Sequence, residues 1–334
     1  MNSMGGACMA VSSRPPFLYP PGSPLMHPPL ALNQARMYGF WVSGDAVALQ
    51  ASVDRTLNAC SRGQMHFSVL TQYVLLSFAE ISHAHSTYPM DIVKGWGKEV
   101  DIVTWVMLAC TKPGEVLPTF YAYPLHIWVD DCMALINGRE LYGYPKYECL
   151  YEMPGPDEPP TTFRLAAKGF QPYSPETELA MHPLLDLYAT VGVKDEPTTD
   201  VIAWREGLIA CMHQAPGFWD THPAWRMKFD EWFNFFPGVD QIFLKQFPDG
   251  SGHRAVYQAI VAAPAKVKAI HGLSLLSGRY DLHLHPFDSF PLHHTLGWEQ
   301  GVQQAHCGFC IDFDFEVGDG IELVNNSQVD EEQA

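Results

Sequence analysis

Most of this chain reads as apolar runs of strand length separated by polar, glycine- or proline-containing stretches. The runs LALNQARMYGFWVSGD, QMHFSVLTQYVLLSFAEIS and EVDIVTWVMLACT are rich in β-branched and aromatic residues and predict strands. TFYAYPLHIWVDDCMALING continues in the same style, so the first half reads as mainly β. One short amphipathic stretch, ASVDRTLNAC, interrupts it, with Asp54 near a helix start. From 172 to 237 the period lengthens. SPETELAMHPLLDLYATVG opens on a Ser174-Pro175 cap signal, and TTDVIAWREGLIACMHQA sets Ile202, Leu208, Ile209 and Met212 at helical spacing behind Asp200. HPAWRMKFDEWFNFFPG then carries Trp225, Phe229, Trp232, Phe233 and Phe236 on one wide apolar stripe ending at Pro237-Gly238. These predict a helical insertion over 172–237, packed on a sheet or lying as a lid over a pocket. After 238 strands return. PDGSG is a hairpin signal ahead of HRAVYQAIV, and GFCIDFDFEVGDGIELV alternates Ile311, Phe313 and Phe315 against Asp312, Asp314 and Glu316, as a strand with one wet face does.

The pattern fails at both ends. Residues 1–33 are too rich in proline for a helix and have neither the basic start nor the apolar run of a signal peptide, so an irregular arm is expected. Residues 321–334 read as an acidic tail, frayed from NNSQVDEEQA onward, which leaves 34–320 as a single domain. No apolar run approaches the ~20 residues needed to span a bilayer, so a cytoplasmic protein with no membrane partner is expected. With 47% hydrophobic and 17% charged residues the chain can bury a substantial core, and its formal charge of −17 opposes nucleic acid as a partner. The eight cysteines are scattered and predict free buried thiols, with Cys307 and Cys310 of HCGFC an incidental pair.

Chemistry has few candidates. The chain has no G-x-S-x-G, no G-x-x-x-x-G-K-[ST] and no G-x-G-x-x-G after a strand. His283 and His285 lie two apart on a predicted strand, with His293 and His294 close behind, but the sequence supplies no carboxylate or thiolate at a spacing that completes a metal set, and no metal is expected. Lys146, in NGRELYGYPKYECLY, follows a proline and stands among Tyr142, Tyr144, Tyr147, Cys149 and Leu150. It is either a solvated turn lysine or an amine whose pKa is lowered by apolar surroundings until the nucleophilic, uncharged form is accessible.

The segment GRELYGYPKYE resembles the stretch of acetoacetate decarboxylases that reads Gly-Arg-Glu-Leu, two residues, an aromatic, Pro, Lys, Lys, with Lys146 on the first lysine. LHIWVDDCMALINGRE is similar to the strand leading into it, and QIFLKQFPDGSGHRAVYQAIVAAPAKVKAIHGLSLLSGRYDLHLHPFDSFPL to that family's C-terminal hairpin and last strands. The resemblance implies a divergent member of this superfamily. Its fold would be α+β, a largely antiparallel sheet closed into a cone-like barrel with flanking helices. Lys146 would form a Schiff base with a ketone. Decarboxylation of a β-keto acid or β-dicarbonyl compound, bulky secondary-metabolite precursors included, is the default expectation. Aldol, dehydration or cyclisation chemistry without loss of carbon dioxide is the alternative, and a non-catalytic binding barrel the third. No cofactor is implied, and a homo-oligomer is. Arg139 and Glu140 match the family's Gly-Arg-Glu and would order the loop as an ion pair, Tyr144 and Tyr147 would flank the amine, and Arg36 falls near the family's N-terminal arginine. Two departures stand out: Tyr147 replaces the second lysine, and Lys112 of CTKPGEVLPT falls where the decarboxylases hold a carboxylate, so that a cation would replace an acid or base beside Lys146.

Overall fold

Long alternating runs give long strands, because a period of two places every apolar side chain of a run on one face. In the computed structural model, which describes residues 14–327 apart from 215, 216, 218, 219, 221, 236 and 237, twelve strands join one sheet. They are β1 (Leu30–Ser43), β2 (His66–Val69), β3 (Tyr73–Ser86), β4 (Gly97–Thr111), β5 (Thr119–Val129), β6 (Lys146–Glu152), β7 (Thr162–Gly169), β8 (Ala180–Thr198), β9 (Gly238–Pro248), β10 (Ala255–Leu284), β11 (Gly301–Val317) and β12 (Ile321–Asn325). The helices are α1 (Ala46–Val53), continued by a π-helical turn (Asp54–Asn58) into α2 (Ala59–Ser61), then α3 (Cys132–Leu141), α4 (Val201–Met212), α5 (Pro223–Phe235) and α6 (Leu292–Thr295).

The strand order is β2-β4-β3-β1-β11-β10-β8-β7-β6-β5-β9, and the additional antiparallel pairing of β4 with β5 closes the sheet in a ring. All pairings are antiparallel except those of β5 with β6 and β9. β9 also pairs with β10, giving a second, smaller closure through β5. Alternation along the shared strands feeds two cores. Tyr38, Phe40, Phe78, Phe163 and Tyr280 fill one side, with Phe163 meeting Tyr38, Phe40 and Phe78 at ring distances of 5.1–5.2 Å. Trp41, Leu75, Met107, Phe309 and Ile311 belong to the other, on which α4 and α5 lie.

Several expectations need correction. The stretch 172–237 is not wholly helical: its first part is the 19-residue β8, because Leu185 and Leu187 alternate with Asp186 and Tyr188 and the strand finds partners in β7 and β10. Helices occupy only 201–212 and 223–235, α4 starting behind Asp200, whose side chain accepts from the Ile202 and Ala203 amides as a cap does. Phe236 and Pro237 lie outside the described residues. DDCMALING is helix α3, capped by Asp131, whose carboxylate accepts from Ala134 N at 2.7 Å. Residues 321–325 form β12 against β10, with Val324 buried, so the tail begins later than expected. The arm stops short of 33, since β1 starts at Leu30 and admits a bulge at Gln34, whose φ is 52°. Its last residues are irregular but held: Asp91 accepts from His27 N at 2.6 Å and pairs with Lys94 at 2.7 Å, which keeps its carboxyl at about 2 despite burial. Two cysteines are not free. Cys211 of α4 is disulfide-bonded to Cys307 of β11, while Cys60, Cys110, Cys149 and Cys310 are buried thiols.

Candidate functional site

Lys146 opens β6 because of what precedes it. The carbonyl of Gly138 in the last turn of α3 accepts from the amides of Tyr142, Gly143 and Tyr144, and Gly143 takes a left-handed φ of 90° that a side chain would resist. Pro145 cannot continue a helix, and its carbonyl accepts from Ile127 N, which sets β6 parallel to β5. Lys146 then lies level with Ile127 of β5 and Val103 of β4, while Asp101 lies two pairs along on the same face, opposite Val129. Val103, Ile127 and Val129 form an apolar bed with Tyr144 beside them. The Lys146 nitrogen lies 3.2 Å from Asp101 Oδ1 and 3.7 Å from Glu99 Oε2, and only 6% of the residue is exposed. α3 passes so close that a Cβ on Gly138 would meet Lys146 Cδ at 2.9 Å, so a side chain there would displace the lysine.

The amine stands in the wall of a cavity of about 380 Å³. Its lining is mostly apolar, from β1, β3, β4, β11 and α3, with Trp204 and Leu208 of α4 and Trp232 and Phe233 of α5 above and Met26 of the arm at one side. The two helices thus supply part of the cavity wall. Met26 is fixed there by its amide, which donates to Asn137 Oδ1 at 3.0 Å. Tyr144 lines the cavity beside Lys146, its ring 5.6 Å from the ammonium, and its hydroxyl donates to Gln241 at 2.7 Å.

The electrostatics differ from the expected ones. Burial lowers the Lys146 pKa, but the charges of Asp101 and then Glu99 outweigh it, and the net direction is upward. The resting amine is therefore an ammonium held by Asp101 and Glu99, not a neutral amine made by desolvation. Glu99 carries the complementary shift: burial pushes it up, Lys146 pulls it down, and its carboxyl rests at about 7.

The other predicted residues divide. Tyr147 points to the opposite face of β6 and packs on Phe290 at 5.0 Å, so the residue after Lys146 does not reach the cavity at all. Arg139 donates to the Lys146 carbonyl at 3.1 Å and orders the loop that way; Glu140 is exposed, and no Arg139–Glu140 ion pair occurs among the described residues. Arg36 is on the outer side of β1 from Met37, bound to Asp312 at 2.6 and 2.8 Å. Lys112 is exposed just beyond the end of β4, about 35 Å of extended chain from Asp101, and does not line the cavity. The expected loss of the carboxylate is thus reversed: Glu99 and Asp101 supply two. Sequence reading missed them, although GKEVDIV places acids two apart on one strand and so on one face. His283 and His285 do gain a carboxylate from the neighbouring strand, Asp186, which holds His285 at 2.7 Å with Arg164 Nε 3.7 Å from the same acid. Among the described residues, no helix is long and apolar enough to cross a membrane.

No protein-family model matches the chain, and neither does any curated protein. Solved structures do match over nearly the whole length. An acetoacetate decarboxylase from Legionella pneumophila is similar at a TM-score of 0.59 and 12% identity, over 95% of this chain and 94% of that one. The enduracididine biosynthesis enzyme MppR, complexed with pyruvate, gives 0.52 and 13% over 90% and 91%. An acetoacetate decarboxylase-like enzyme from Sphingomonas wittichii RW1 gives 0.54 and 16% over 92% and 98%.

Proposed function

Since the chain has the acetoacetate decarboxylase fold, we propose that it is an enzyme in which Lys146 condenses with the carbonyl group of a small molecule. The observation that carries this reading is the buried nitrogen of Lys146 in a mostly apolar cavity, 3.2 and 3.7 Å from two acids. Glu99, 3.7 Å from the nitrogen and made more basic than an ordinary carboxylate by burial, takes the ammonium proton as the carbonyl compound adds. The freed amine adds to the carbonyl carbon, the resulting hydroxyl leaves as water with a returned proton, and the iminium draws electrons from a bond to the adjacent carbon. Hydrolysis restores the lysine. Loss of carbon dioxide from a β-keto acid is one outcome, and proton loss followed by aldol-type chemistry is the other.

Borohydride reduction in the presence of methyl ketones tests it. Covalent mass on the Lys146 peptide is expected from the unaltered protein. Lys146→Arg keeps a cation beside Asp101 and Glu99, and should remain folded yet take no label. Label spread over surface lysines, with none at Lys146, would defeat the reading.

A further inference from the structure

The charges around the amine are unbalanced. Asp101 and Glu99 approach one ammonium, and Asp131 and Asp130 add further negative field at Glu99. Asp131 also lines the cavity. Two cations that the sequence placed near the amine lie elsewhere: Arg36 is bound to Asp312 on another face, and Lys112 is beyond the far end of β4. Lys98 and Arg205 also line the cavity, but among the described residues Asp101 and Glu99 form their ion pairs with Lys146 alone.

A β-keto acid that presents its ketone to Lys146 must bring its carboxylate within two bonds of the reacting carbon. That carboxylate would enter a low-dielectric pocket already holding two acids within 4 Å of the nitrogen, where like charges repel strongly. An uncharged carbonyl compound meets no such cost, and the apolar lining, with Trp41, Trp105, Trp204 and Trp232 among it, favours its hydrocarbon part. The volume, about 380 Å³, lies within the range of sites for ligands far larger than a four-carbon acid.

We infer that this cavity takes an uncharged, largely apolar ketone or aldehyde, and that the bond broken next to the iminium is carbon–hydrogen rather than carbon–carboxylate. This rests on the imine reading above and narrows it. In the step itself a carboxylate of Asp101 or Glu99 accepts the α-proton, the electron pair of that bond moves to form a carbon–carbon double bond, and the iminium pair returns to nitrogen. The product is an enamine, whose carbon can attack a second carbonyl, with that oxygen taking up a proton. Every carbon of the substrate is retained.

The test uses 3-oxooctanoate and its methyl ester, which differ chiefly in charge. Each is incubated with the full chain and borohydride at equal concentration, the Lys146 peptide is weighed by mass spectrometry, and carbon dioxide release is followed against an enzyme-free control. The ester is expected to label Lys146 at least tenfold faster than the acid, and Asp101→Asn to narrow that ratio. Because the ratio is read within one protein, a change in overall activity of the variant does not obscure it. Equal or faster labelling by the acid, with carbon dioxide released above the control, overturns the neutral-substrate inference and leaves imine formation standing. Absence of label at Lys146 from either compound, and from methyl ketones, overturns imine formation itself.

Discussion

At the scale of single residues, Gly138 and Glu99 matter as much as Lys146. Gly→Ala in a helix normally adds about 1 kcal/mol. At 138 the new methyl would meet Lys146 Cδ at 2.9 Å and Cε at 3.0 Å, so this gain is lost to overpacking of about 1–3 kcal/mol. Gly138→Ala should therefore melt slightly earlier and label at Lys146 at least tenfold more slowly, because the amine is pushed from Asp101. Mass spectrometry beside a thermal melt separates the two effects. Glu99 gives a pH signature. Its folded pKa of about 7 lies above the ordinary 4.5, so the folded chain holds an extra proton between those values and stability falls as pH rises across that window. Glu99→Gln stays neutral throughout, so its melting temperature relative to the parent should rise from pH 5 to pH 8. Labelling of the parent should increase through about pH 7 as Glu99 ionises, and Glu99→Gln should lose that step and run at least tenfold slower at neutral pH. The two acids were legible only as alternation in GKEVDIV. What hid them is distance in sequence: Lys146 and Asp101 meet across β5, a register fixed by strand pairing and invisible in either segment alone.

At the scale of elements, the strands were the easy part. EVDIVTWVMLACT is dense in β-branched and aromatic residues and GFCIDFDFEV alternates openly, and they became β4 and β11. β8 was misread because Ser174-Pro175 imitates a helix start, and what overrides that signal is the pairing with β7 and β10. α3 was missed because its ten residues follow a strand without a change in apolar density. The disulfide could not be read from spacing either, since it joins residues 96 apart that meet only when α4 lies on β11. Closing a loop of that length constrains the unfolded chain by about 4–5 kcal/mol in the simplest treatment, and about 2–4 kcal/mol is the usual yield. Cys211→Ser should lower unfolding free energy by that order in a denaturant titration under non-reducing conditions. Hydrogen exchange should rise first in α4, the element released. An unchanged midpoint would mean that the covalent tie contributes nothing in solution.

At the scale of the whole molecule, the closed topology explains why local patterns were not enough. β1 pairs with β11 across 276 positions where Arg36 meets Asp312, and β10 alone runs for 30 residues and meets β8, β9, β11 and β12 in turn. Such contacts form only once distant segments meet, so resemblance in a few motifs carried the fold further than periodicity did. The net charge of −17 acts at this scale too. Self-repulsion should be relieved as salt screens it, and the melting temperature at pH 7.5 should rise between 20 and 300 mM sodium chloride, about a threefold or greater shortening of the screening length. A fall would show instead that ion pairs such as Arg36–Asp312 outweigh that repulsion.

The helices that line one part of the cavity, α4 and α5, are strung between β8 and β9, whereas Lys146 stands on β6 and its two acids on β4. Under the proposed function, catalyst and gauge are thus separate pieces of chain. Exchanging Trp204 or Trp232 for smaller side chains would enlarge the molecules admitted while leaving the proton-handling trio untouched, so a lineage built on this scaffold can change its diet without relearning its chemistry.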